Sequence, residues 1–279
     1  MEDQLPKSLL NYISNDSYDA GSIPVDISAT RLKDTPRISR LFKQHRDKIK
    51  INHLDKGFAK LGEAWHKAME ESSPPDWICE KRFYADVNGY VISGAIDGLE
   101  PVGKNLYNVW DYKLMSSYKA KTDLSEFVKQ LNIYAYILKK NNINVKNLYI
   151  SAMIRDWTVN RISDPNYPQT NLPVFKLEKW DDKVTEKYVI ERVKHHTQKE
   201  LPECTDEEMW STGDTYIVES LKAGKVMKVF QTKEEAEQHP SVIKGTAKVD
   251  RRASERLRCK RYCEVSDFCD QYQRHLASA

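Results

Sequence analysis

Residues 81–114 read KRFYADVNGYVISGAIDGLEPVGKNLYNVWDYKL, and this run decides the fold. Phe83, Ala85 and Val87 alternate with polar residues, the period of a half-buried strand. Asn88-Gly89 follows at once, a pair suited to a two-residue hairpin turn because both positions there need positive φ. YVISGAIDG is the return strand, closed by Asp97. A loop containing Pro101 and Gly103 leads to a third alternating strand, LYNVWDYKL.

Working outward, a helical pattern precedes the hairpin: Leu54, Phe58, Leu61, Trp65 and Ala68 or Met69 recur at three- and four-residue spacing until ESSPPDW (71–77) breaks it. After the third strand, Asp123–Lys140 reads as a helix, with Asp123 as N-cap, Glu126 three residues on, and Phe127, Leu131, Tyr134 and Leu138 as its apolar stripe. NLYISAMIRDW (147–157) is a fourth strand, and 182–198 a further amphipathic helix. The first 50 residues read as short helical pieces interrupted by Pro24 and Pro36. Beyond about residue 200 the chain is polar, in short pieces. Helices around a mixed sheet, an α/β (α+β) arrangement, satisfy this order.

Composition sets limits. The 279 residues carry a net charge of +3, too small to argue for nucleic acid by itself, although basic clusters occur at RLFKQHRDKIK and KVDRRASERLRCKR. No apolar run approaches the roughly 20 residues of a membrane span. MEDQLPKSLLNYIS lacks the basic start and apolar stretch of a signal peptide, so the expected location is cytoplasmic. GKNLY and GKVMK lack the remaining residues of a phosphate-cradling P-loop, so any motor must be another chain.

Within the deciding run, Asp111 and Lys113 are two apart in a strand and project to the same side. An isolated pair of this kind is usually a surface ion pair worth about 0–1 kcal/mol. Here Asp97 ends the neighbouring strand, so two carboxylates come within reach of one ion. Carboxylate oxygens with a backbone carbonyl and water suit Mg²⁺ or Mn²⁺. Such an ion polarises a phosphoryl oxygen and activates water, and Lys113 could orient that water or neutralise developing charge. His66, in GEAWHKAME, is a further candidate ligand. Gln130 and Tyr134 sit four apart on one helix face.

Together, Gly62, His66 and Glu70; Glu80; Gly94, Ile96 and Asp97; Asp111, Tyr112 and Lys113; and Gln130, Leu131, Tyr134, Ala135 and Tyr136 form an ordered series. It resembles the RecB-like branch of the PD-(D/E)XK nucleases, including CRISPR-associated relatives. ISATRLKDTPRISRLF and the strand ending Arg155-Asp156-Trp157 resemble phage-encoded members. The resemblance implies a restriction-endonuclease-like core in which His66, Asp97 and Asp111 bind the metal with the Tyr112 carbonyl. It makes Lys113 the catalytic lysine, has Glu80 supporting the site, and gives Gln130 and Tyr134 the positioning of DNA or of the active-site groups.

Cys259, Cys263 and Cys269 lie close in sequence, a spacing that in a cytosolic chain points to zinc or a [4Fe–4S] cluster without separating them. RecB-like nucleases often end in a similar segment that holds an iron–sulfur cluster, with the remaining cysteine ahead of the histidine motif. This chain departs from that pattern, since no cysteine precedes His66. Cys204, in a polar loop, is the preferred fourth ligand, and Cys79 the alternative. The division expected is a nuclease core with an N-terminal helical region over 1–200, and a cluster-bearing segment over 201–279 packed on it.

The function expected is therefore a Mg²⁺- or Mn²⁺-dependent DNA exonuclease acting on ends or single strands in phage-type recombination, replication or repair. A helicase or recombinase would act in trans, in a bacterial or phage-infected cell. A structure-specific endonuclease and a non-catalytic DNA-binding recombination accessory protein are the alternatives.

Overall fold

The computed structural model describes residues 6–14, 23–49 and 57–278. The chain forms two compact units, one from residues 1–34 and 50–198, the other from 35–49 and 199–279. In order, the elements up to residue 198 are α1 (Lys7–Ser14), β1 (Ile27–Ser28), α2 (Ala29–Lys33), α3 (Pro36–His45), α4 (Gly57–Ser72), β2 (Ile78–Val87), β3 (Tyr90–Gly103), β4 (Leu106–Met115), α5 (Ser117–Lys121), α6 (Ser125–Lys140), β5 (Asn144–Ile154), β6 (Val174–Leu177) and α7 (Asp182–Thr197). All but α3 belong to the first unit.

The first unit is a mixed six-stranded sheet, ordered β1-β3-β4-β5-β6, with β2 on the free edge of β3. β2 and β3 form the expected hairpin, and Asn88 (φ 54°) and Gly89 (φ 82°) take the left-handed conformations its turn demands. β4 runs antiparallel to β3 and parallel to β5, so α5 and α6 make the crossover that a parallel pair requires. One continuous core gathers Leu32 of α2, Leu131, Ile133 and Ile137 of α6, Val189 and Val193 of α7, and Ile92, Ile96, Val109 and Ile150 of the sheet.

Several local expectations shift. β3 does not end at Asp97 but continues to Gly103, so Asp97 is mid-strand and the reversal falls at Lys104-Asn105. Pro101 and Gly103 lie in the strand, flanking an irregularity in its pairing with β4. Pro36 opens α3 instead of interrupting a helix, because its fixed φ and missing N–H suit the first turn. The N-cap of α6 is Leu124. Asp123 stands one residue further out, accepting the Ser125 N–H at 2.8 Å. Leu54 lies outside the described residues. The largest departure is in α4: its apolar stripe is not buried, with Phe58 60% and Leu61 48% exposed.

In the second unit, β7 (Thr215–Ser220), β8 (Val226–Phe230), α8 (Lys233–Glu237), α9 (Pro240–Ile243), β9 (Ala247–Arg252), α10 (Leu257–Arg261) and α11 (Asp270–Ser278) follow α3. The strands form an antiparallel sheet, ordered β8-β7-β9, where only short polar pieces were expected. Val218, Ala236 and Ala247 make one small core, and Ile38, Leu41, Val265 and Cys269 another. Arg37 ties α3 into this unit, donating to the Pro202 and Leu201 carbonyls at 3.0 and 3.1 Å and pairing with Asp270 at 2.5 Å. Among the described residues no helix is long and apolar enough to cross a membrane.

Candidate active site

The site grows from a parting of strands. β3 and β4 pair from Gly103↔Leu106 to Gly98↔Trp110 and no further, while β4 stays paired to β5 through Met115. Beyond Trp110 the edge of β4 facing β3 therefore lacks a backbone partner. The Asp97 carboxylate fills that place, accepting the Tyr112 N–H at 2.7 Å. Register carried one step past Gly98↔Trp110 sets Asp97 beside Asp111.

On the other edge of β3, the pairing Cys79↔Gly98 and Lys81↔Ile96 leaves Glu80 opposite Asp97. Glu80 has φ 47°, a left-handed conformation uncommon for a residue with a side chain. There β2 and β3 change the side they give to the core: Phe83, Ala85 and Val87 are buried past the switch, with Ile78 packed against the core before it, and Ile96 is followed by Leu99. Strain of about 1–3 kcal/mol at such a point is characteristic of functional sites.

His66, on α4, bridges these parts. Its Nε2 lies 2.7 Å from the Tyr112 carbonyl, and its Nδ1 is 3.6 Å from both Glu80 Oε1 and Asp97 Oδ2. Burial pulls the imidazole pKa down, but the nearby Glu80 and Asp97 carboxylates outweigh it and raise it above the ordinary value. His66, Glu80 and Asp97 each offer a ligand atom, all within 4.8 Å of one another.

Asp111 is the most telling residue. It is 1% exposed, and neither carboxylate oxygen has a hydrogen bond of acceptable geometry. The Lys113 ammonium stands 2.7 Å from Oδ2 as an ion pair. Burial, the largest influence on Lys113, lowers its pKa, yet Asp111, Asp97 and Glu80 together raise it. Burial first, and then the Asp111 charge, push Asp97 up to about 7 despite Lys113, His66 and the Tyr112 N–H. A buried carboxylate with unused lone pairs costs several kcal/mol unless a cation or proton meets it. The donors present, carboxylates with a carbonyl and an imidazole, fit a hard divalent ion.

Gln130 and Tyr134 are 6% and 5% exposed, and Gln130 Nε2 donates to Tyr134 Oη at 2.8 Å. Both are buried, and Tyr134 lies in the field of Asp111 and Asp97. The Tyr134 ring explains Gly94: a Cβ there would stand 2.7 Å from a ring carbon. Tyr134 is held protonated, first by burial and then by Asp111 and Asp97.

Two neighbours escaped the sequence reading. Lys33 of α2 lies in the field of Asp111 and Lys113, its pKa lowered by burial. Arg82, on β2, lines the same open groove as His66, Glu80 and Lys113. No local pattern marks either, since both reach the site through pairing and packing.

In the second unit Cys204, Cys259, Cys263 and Cys269 line one small cavity, together with Arg37 and Arg258. Gln271 fixes the Cys204 loop with two hydrogen bonds of 2.8 Å to its backbone. Burial pushes the Cys204 thiol up to about 12 and raises Cys259 and Cys263 as well. Cys79 instead begins β2, paired with Gly98 near the carboxylates.

Opposed carboxylates and a lysine on parted strands of a mixed sheet define a site for metal-assisted phosphodiester chemistry. The family model of the PD-(D/E)XK nuclease superfamily matches residues 28–270, and the chain belongs to that superfamily. It is accordingly a nuclease of a class that uses divalent metal ions and acts on DNA. The crystal structure of SSO0001 is similar over 67% of this chain and 82% of its own, at 18% identity and a TM-score of 0.45. No curated protein matches the sequence.

Proposed function

We propose that the protein is a Mg²⁺- or Mn²⁺-dependent deoxyribonuclease, working as an exonuclease at DNA ends or in single strands. The observation that carries this reading is Asp111, buried with unused lone pairs, beside Lys113 and across from Asp97. Asp97, Asp111, His66 and the Tyr112 carbonyl would hold the ion, with Glu80 supporting them from the facing strand. When bound, the ion supplies a polarised phosphoryl oxygen and a more acidic water. Lys113 orients that water or neutralises charge on the phosphoryl group. Gln130 and Tyr134 are positioning residues: their hydrogen bond and the ring seated against Gly94 keep the carboxylate floor rigid.

The setting that fits the sequence resemblance is phage-type recombination, replication or repair in the cytoplasm of a bacterial or infected cell, with a helicase or recombinase in trans. A time course on end-labelled linear and circular single-stranded DNA, with Mg²⁺ and then Mn²⁺, tests the activity. Stepwise loss from one end, with circles resistant, is the expected result. Cut circles would favour the structure-specific endonuclease, and tight binding without turnover the accessory protein.

The division proposed is a nuclease core and a cysteine-bearing unit, and Cys204, Cys259, Cys263 and Cys269 are assigned a [4Fe–4S] cluster. The support for a shared metal is that all four thiols line one cavity. Brown protein containing iron and sulfide is expected after anaerobic purification. Colourless protein with stoichiometric zinc would refute the cluster.

A further inference from the structure

The exposed apolar stripe of α4 has no structural account in the fold, and its position suggests one. Phe58, Gly62 and His66 are spaced i, i+4, i+8 and so lie along one side of the helix. All three line the groove that contains Lys113 and Glu80. Phe58 is 60% exposed, and the Arg155 guanidinium sits 4.4 Å from the centroid of its ring. Gly62 has nothing within 4 Å of where a Cβ would be, which leaves a clear lane between Phe58 and His66. Tyr12, whose hydroxyl donates to the Lys60 carbonyl at 2.9 Å, borders the same groove.

We propose that Phe58, braced by Arg155, is a stacking platform for an unpaired base of the substrate strand, making single-stranded DNA the form the groove accepts. This inference rests on the nuclease reading and deepens it. The occupant follows from charge. The α4 wall presents Glu63, Glu70 and Glu71 to the groove against a single lysine, Lys67, so its charge balance disfavours a phosphate backbone. What lies against that wall is therefore base, with the phosphates turned toward Lys113 and Arg82 on the sheet side. An aromatic face accepts any base, and a planar guanidinium over the ring adds a charge for a nearby phosphate. Paired bases in a duplex keep their faces stacked on one another and cannot offer them to Phe58. Eight residues of helix separate Phe58 from His66 by about 12 Å, or roughly two to four nucleotides along a strand.

The test uses single-stranded oligonucleotides carrying 2-aminopurine at successive positions, bound in Ca²⁺ to the full-length protein. Wild-type protein is expected to quench the probe most strongly at one position, two to four nucleotides from the cleavage point mapped in Mn²⁺. Phe58→Ala should remove that position-specific signal and weaken binding about tenfold, while Phe58→Trp restores both. In turnover, the loss should fall mainly on KM. Equal binding and unchanged quenching in Phe58→Ala would overturn the stacking role while leaving the nuclease reading intact. Wild-type protein that cleaves duplex ends as readily as single strands would also overturn it. Absence of both binding and cleavage in the wild type overturns the nuclease reading, and this inference with it.

Discussion

The carboxylate site and the cysteine cavity both gather side chains suited to metal, but they differ in how burial acts on those side chains. Asp97 and Asp111 are carboxylates whose charge is costly when buried, so the site shows itself in a raised Asp97 and in an Asp111 that has the Lys113 ion pair but no hydrogen bond. Burial holds the Cys204, Cys259 and Cys263 thiols protonated, and a neutral thiol is a small apolar side chain content in a core. A hard-ion site thus declares itself by electrostatics, whereas a thiolate site must be recognised by convergence alone.

The largest expected effect breaks the first half of that comparison. Asp111→Asn should lower cleavage by at least about 100-fold and destabilise the metal-free protein by about 1–3 kcal/mol, because the Lys113 ammonium loses the carboxylate 2.7 Å away. Calorimetry with and without Mg²⁺ checks this, and a metal-free variant more stable than wild type would contradict the electrostatic argument. For the second half, Cys259→Ser should remove bound iron and destabilise the protein by about 3 kcal/mol. Cys79→Ser should leave the iron content unchanged, and iron analysis beside thermal melts distinguishes the two. Third, Gly94→Ala should cost about 1–3 kcal/mol, since the new methyl group meets the Tyr134 ring. A matching loss of cleavage would show how far the site depends on the floor beneath it.

The smallest effect uses a group kept neutral as the thiols are. Burial and then Arg192 hold His196 down to about 4. The unfolded chain therefore binds this proton more readily than the folded one between about pH 6.5 and 4. Its contribution is fully present above 6.5 and is lost as the pH falls through 4. Urea melts should show His196→Gln losing about 1–2 kcal/mol less than wild type between pH 7 and 4.5.

Much of the first unit was legible because its signals are local. Alternation and Asn88-Gly89 specify the hairpin, and the i+2 rule places Asp111 with Lys113. Phe127, Leu131, Tyr134 and Leu138 mark the buried side of α6, though the structure also buries Ile133, Tyr136 and Ile137. The stripe of α4 misled for the same reason: helical periodicity shows which side of a helix is apolar, not what that side meets. The sheet of the second unit escaped notice because β8 is largely exposed and β9 alternates only over Ala247–Asp250 before running into Arg251 and Arg252.

The sequence by itself determined the class of protein, since ordered motifs of carboxylate, lysine and histidine carry the chemistry in their residue types. Only the tertiary structure decided how Asp97 serves the site. Its carboxylate replaces the backbone partner that Tyr112 loses where β3 and β4 part, and strand register past that point is set by packing, not by neighbours in the chain. The same holds for Phe58, whose exposure beside the groove is a property of what α4 leaves uncovered.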